Sequence, residues 1–180
     1  MQKRFLTAAT ALSLVIPAAL AGGAQGQAPT GPVSTAQVSN DTDVLFMEVA
    51  TMSNLTEITT SRLALQKSTN AAVRAYAQEM INHHTQAQAE LNAIAAAKGV
   101  RLTDKPGADQ RLLYNRLTTL TGAQFDAAYK NVQVGGHQMT LDLIQTYRTV
   151  AKDQQAAAYA AKTQPIVARH LAEAKALPGS

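Results

Sequence analysis

The chain has 180 residues, a formal net charge of +4 from 16 basic and 12 acidic residues, and no cysteine. The absence of cysteine excludes disulfides, thiolate catalysis, thiolate metal sites and a bacterial lipid anchor on a cysteine behind the leader. Setting aside Lys3 and Arg4 of the leader leaves 14 basic against 12 acidic residues, or +2. No dense basic block or aromatic–basic interleaving remains, which argues against a nucleic-acid partner.

Residues 1–21 read as a signal peptide. Met1-Gln2-Lys3-Arg4 is a short basic start, Phe5 to Ala21 is apolar apart from two threonines and a serine, and Ala19-Leu20-Ala21 offers small residues for cleavage. The alternative, a membrane anchor, has a run of only about 17 residues, interrupted by Pro17. Export to the periplasm or beyond is expected, with no integral span after cleavage. Residues 22–39 lack charge and are rich in Gly, Ala, Gln, Pro, Ser and Thr, so they read as a disordered linker. The 180 residues less the 21 of the leader leave 159, enough for one core.

From residue 40 to 177 the pattern is helical throughout, with no strand signal. The first predicted helix starts near Asn40-Asp41, with Asp43 favouring the positive helix end, and finishes near Lys67. Its core face holds Leu45, Phe46, Val49, Ala50, Met52, Ser53, Thr60, Leu63 and Ala64. Ser68-Thr69-Asn70 makes a tight turn and caps the second helix, Ala71 to Lys98. There Val73, Ala77, Met80, His84, Ala87, Leu91 and Ile94 alternate four and three, a narrow inward seam. Gly99 terminates it. After a loop with Pro106-Gly107, a short helix is expected at Ala108 to Leu120, using Leu112, Leu113 and Leu117. Thr121 and Gln124 resemble a capping box. The third long helix runs to about Val150 on an apolar stripe of Phe125, Tyr129, Val132, Met139, Leu143, Tyr147 and Val150. Asp153 caps the fourth, where Ala156, Ala160, Thr163, Val167, His170, Ala174 and Leu177 repeat the alternation and Pro165 predicts a kink. Pro178-Gly179 ends it. The expected architecture is all-α: an up-down-up-down four-helix bundle with one short extra helix between the second and third long ones.

In that topology the first and third connections share one end. His84 lies roughly 15 residues from that end, His137 roughly 15 and His170 roughly 18, which puts all three about 22–27 Å down the bundle. Ser53 reaches the same depth, and Glu57 lies one turn nearer the end. Glu57 borders the core face, whereas Glu48 falls further towards solvent. Glu57, His84, His137 and His170 therefore form a candidate set with one ligand from each long helix, suited to one transition-metal ion: zinc, iron, copper or nickel. His137 departs furthest from its helix's apolar stripe and sits beside Asp126, Gln133 and Thr140. His83 is about 100° round the helix from His84 and reads as partly exposed. Met80 and Met139 lie near the histidines; thioether ligation would favour copper, and core filling is the alternative. Gly135-Gly136 in mid-helix costs roughly 2 kcal/mol against alanine. Close approach of a neighbouring helix, or room beside His137, would compensate.

Several segments carry a resemblance: Asp43-Val44-Leu45-Phe46; Glu57 with Leu63-Ala64; Ala77-Gln78-Glu79-Met80 leading to His84-Thr85; Phe125-Asp126-Ala127-Ala128-Tyr129; His137; and Pro165-Ile166-Val167-Ala168-Arg169-His170-Leu171. Over about residues 40–177 the chain resembles bacterial domain-of-unknown-function family 4142. The resemblance implies export and a ferritin-like helical bundle, and no established activity. Members often carry an acidic residue where this chain has His83. The Glu-x-x-His pairs of di-iron ferritin-like proteins are missing: Glu79 is followed by Asn82, and His170 precedes Glu173.

Two functional readings follow. One is a cell-envelope protein holding a metal ion or small polar ligand between helices. The other is a structural or stress-related bundle whose buried polar residues only fix helix register. An enzyme ranks third, because no acid–base pair with clear roles can be assigned.

Overall fold

A computed structural model describes residues 33–179; the expected leader and residues 22–32 lie outside them. Among the described residues there are five α-helices, a short 3-10 turn and no strand. The helices are α1 (Thr42–Lys67), α2 (Ala71–Ala97), α3 (Ala108–Thr118), α4 (Gly122–Val150) and α5 (Gln154–Ala176). None is long and apolar enough to cross a membrane.

Most boundaries follow from local capping. The Asp41 carboxylate accepts from the backbone N–H groups of Asp43 and Val44 at 2.9 and 3.1 Å. Asn70 does the same for Ala72 and Val73, and Asp153 for Ala156. Gly99, with φ of 67°, supplies the left-handed residue that closes α2. The expected box at Thr121 does not form, and that side chain makes no capping bond. Instead Gln110 Oε1 accepts from the Gly107 N–H at 2.8 Å at the start of α3. α5 continues through Pro165.

The end of the expected linker is ordered. A 3-10 turn spans Thr35–Gln37. The Thr35 N–H donates to the Arg101 carbonyl at 2.8 Å, and the Arg101 guanidinium binds the Val33 carbonyl. Backbone groups with fixed partners offset the ordering entropy that composition alone left unmatched.

The helices pack α1 on α2, α4 on α5, α1 on α4 and α2 on α5, with α3 against α1 and α4. Side-chain pairs set their directions. Along α1, Phe46 stacks on Tyr147, Ser53 bonds Thr140, Thr60 receives from Gln133, and Ser61 bonds Tyr129. As α1 advances α4 recedes, so the two are antiparallel. Asp43, in the first turn of α1, binds the backbone N–H groups of Lys152 and Asp153 in the α4–α5 connection. That connection therefore lies at the end opposite to the α1–α2 turn, and the up-down-up-down order is wrong. The long segment between α2 and α4 carries the chain back along the helices, so α4 runs parallel to α2.

Two apolar clusters fill the interior. One gathers Phe46, Met47, Leu91, Ile144, Tyr147 and Tyr159. The other gathers Leu63, Val73, Met80, Leu117, Phe125 and Tyr129. Every long helix contributes to both clusters. Between them lies a polar layer of Ser53, Asn54, Glu57, His84, Gln88, Gln133, His137, Thr140, Thr163 and His170, all buried.

Several burial expectations fail. Leu45, Leu112, Leu113, Met139 and Val150 are exposed. Glu48 is buried, because its carboxylate accepts from the Thr103 N–H at 3.0 Å. On α4 the buried line is Phe125, Tyr129, Gln133, His137, Thr140, Ile144 and Tyr147. Its middle is polar, which is why apolar residues alone pointed to a neighbouring stripe.

Candidate metal centre

His84 on α2, His137 on α4 and His170 on α5 converge. Their ring centroids are 5.5 Å (His84–His137), 5.5 Å (His84–His170) and 5.4 Å (His137–His170) apart. One nitrogen from each ring lies within 4.8 Å of the other two. The side chains are 5%, 1% and 1% exposed, respectively. The three histidines share a level although α4 runs parallel to α2, because His84 is central in α2 and equally far from both of its ends.

Each ring is oriented by one nitrogen and has the other free. His84 Nδ1 donates to Asn54 Oδ1 at 2.9 Å, while the Asn54 amide donates to Gln88 and Tyr159. His137 Nδ1 donates to the Gln133 carbonyl at 2.8 Å. His170 Nε2 lies 2.8 Å from His83 Nδ1, with the two rings stacked. Arg169, which can only donate, also faces His83 Nδ1 at 3.5 Å and favours His83 as the acceptor and His170 Nε2 as the donor. His84 Nε2, His137 Nε2 and His170 Nδ1 have no hydrogen-bond partner among the described residues. Three buried, partnerless ring nitrogens, each on a ring held by its second nitrogen, are the kind of donors a three-histidine metal site would use. An ion bound by three imidazoles at roughly 2.0–2.1 Å would retain an open coordination position.

Electrostatics favour the ligating form of two of the rings. Burial pushes the His84 imidazole well below its ordinary 6.5, and the neighbouring His137, His170 and His83 add to this. Burial, then His137, His83 and Arg169, brings His170 down to about 3.

Glu57 is buried as well, at 2% exposure, but it does not join the trio. Its Oε1 lies 3.7 Å from His137 Nδ1, on the side of the ring away from the free nitrogen. The four-ligand set is therefore corrected: Glu57 stands behind His137. Burial raises its carboxyl above the usual carboxylate range, against the opposing influence of His137 and Gln133. Gly136 explains its access, since a Cβ there would sit 2.8 Å from Glu57 Oε1. The glycine makes room for a side chain, whereas a Cβ added at Gly135 would meet nothing within 4 Å. Neither methionine supports a thioether site: Met80 is packed in the second apolar cluster and Met139 is 44% exposed.

His83 is the residue that sequence spacing undervalued. Together with Glu79 and His170 it forms a second group of ligating atoms within 4.8 Å. A cavity of about 220 Å³ has His83, His84, Glu90, Thr163, Arg169 and His170 among its lining residues.

All-helical packing around a buried three-histidine cluster defines a helical protein with a candidate metal centre. The chain belongs to the family described as Domain of unknown function (DUF4142), which matches residues 27–177. No curated protein matches it. Among solved structures, CopM in the Cu(II)-bound form is similar, with a TM-score of 0.60 and 15% identity over 74% of this chain and 93% of that one. At this identity the likeness is one of fold.

Proposed function

We propose that this is an exported protein that binds one transition-metal ion through His84, His137 and His170, between α2, α4 and α5. In this reading the four long helices form one bundle of ferritin-like type, with a single long crossover between α2 and α4. Glu57 stands behind His137, where its carboxylate would stabilise the positive charge that a bound ion induces on the Nδ1 side of the ring. The carrying observation is the convergence of three buried, partnerless ring nitrogens. Unpaired polar atoms cost stability when buried, and an ion satisfies all three at once.

Imidazole ligands suit zinc, copper, nickel and ferrous iron. The Cu(II)-bound relative in fold makes Cu(II) the first ion to test. The competing reading, a polar layer that only fixes helix register, draws on the His84–Asn54–Gln88 hydrogen bonds.

Thermal unfolding with and without each ion separates the two. An ion held at about 100 times its dissociation constant stabilises the folded state by about 2.7 kcal/mol. The shift is expected in the wild type and should vanish in His84→Ala. No shift with any of the four ions leaves the register reading standing. Export is checked separately: mass spectrometry of the exported chain should give a mature N-terminus just after Ala21, and an intact Met1 would refute it.

A further inference from the structure

His170 belongs to both ligand groups. Its Nε2 faces His83, which is half-buried in the wall of the cavity, and its Nδ1, like the second nitrogens of His84 and His137, is buried without a partner. Glu79 completes the outer group, with Oε1 3.5 Å from His83 Nδ1. We propose that Glu79, His83 and His170 form an outer loading site, and that His170 passes the ion inward to the His84–His137–His170 centre. This rests on the inner site proposed above.

The chemistry of one imidazole makes the two sites exclusive. A neutral ring carries one lone pair and one N–H. An ion at the outer site uses the Nε2 lone pair, with the proton on Nδ1. An ion at the inner site uses Nδ1, with the proton on Nε2, donated to His83 Nδ1. His170 therefore serves one site at a time, and moving its proton from one nitrogen to the other accompanies the transfer.

Arg169 guards the outer group. Its guanidinium bonds Glu79 Oε1 at 2.5 Å and Glu173 Oε1 at 2.9 Å, and faces His83 at 3.5 Å. A cation arriving at Glu79 must displace this one. Glu173, one turn along α5, can retain Arg169 while Glu79 turns to the ion.

The test is Cu(II) loading of the full mature chain, followed by stopped-flow quenching of tyrosine emission. Tyr76 reports on the centre, with its ring centroid 6.4 Å from that of His137. The wild type should take up one Cu(II) per chain. Glu79→Gln removes a ligand without touching His170 and should slow loading by about tenfold, whereas Arg169→Gln should speed it. Both residues lie outside the inner trio, and neither change should alter the stoichiometry of one ion per chain. Unchanged loading rates in both variants, or two ions bound together in the wild type, would overturn the relay alone. No Cu(II) uptake by the wild type, or undiminished affinity in His84→Ala, would overturn the inner site and the relay with it.

Discussion

At the scale of single residues, the decisive property of His84 and His170 is that they are held neutral. Their imidazoles lie among His83, His137, Arg169, Glu79 and Glu57, and burial leads the causes that lower both. In the unfolded chain they return to about 6.5, the ordinary value. Between there and the folded value, about 3 for His170, the unfolded chain binds protons that the folded one does not. Stability is therefore full above about 6.5 and declines as pH falls through this window, by about 1.4 kcal/mol per pH unit for each histidine. Glu57 has the opposite sign: its raised carboxyl favours folding at acid pH, and this contribution is lost as pH rises. Urea midpoints of the metal-free protein should be lower at pH 5 than at pH 7.5, and His170→Gln should flatten the difference. Because Glu57 acts in the opposite direction, the decisive comparison is with the variant: the same pH dependence in wild type and His170→Gln would show that His170 is not kept neutral. His84 and His170 were legible in the sequence because their apolar neighbours repeat at four and three. Glu48 was not, because its burial depends on a backbone N–H at Thr103, 55 residues away. His83 lies about 100° off the inward seam, and no local pattern connects it to His170 across two helices.

At the scale of elements, α4 shows where periodicity misleads. Its inward face includes Gln133, His137 and Thr140, while Met139 and Val150 face out. A hydrophobic pattern locates a face by apolar residues and fails where the helix is built to present polar ones. Helix ends were easier to find, since Asp41, Asn70 and Asp153 act within a few residues of themselves. Asp43 does more than its position in the first turn suggested. It accepts from Tyr147 Oη at 2.6 Å and from the Lys152 and Asp153 N–H groups at 3.1 Å each. Burial alone would raise its carboxyl, but these three hydrogen bonds outweigh burial and hold it below the usual carboxylate range. One carboxylate thus clasps the start of α1 to the connection between α4 and α5. Asp43→Ala should cost about 2–3 kcal/mol in urea unfolding, because it strands buried donors as well as removing charge-assisted bonds. Tyr147→Phe should cost less, and the double mutant less than the sum. Additive effects would argue against a shared clasp.

At the scale of the whole molecule, helical class and element number were readable, while chain direction was not. Each long helix is compatible with either direction, and the choice rests on contacts such as Ser53–Thr140 and Asp43–Lys152 between distant residues. The loop and α3 are long enough to allow a return along the helices, which no local signal reveals. The polar layer has a consequence for cooperativity. It separates two apolar clusters that draw on all four long helices but have no side chain in common. Without an ion, the waist is held by hydrogen bonds such as Asn54–His84 and Ser53–Thr140, and the two halves can open as distinct units. An ion joining α2, α4 and α5 there would lock three helices at the seam and make opening of either half cost the ion's binding energy. Amide exchange should then resolve two sets of protection factors in the metal-free protein, one for each apolar cluster, and a single higher set on loading. One uniform set in both states would mean that the waist transmits opening without help. On this picture the centre works as a rivet: what it changes first is how much of the protein unfolds at once.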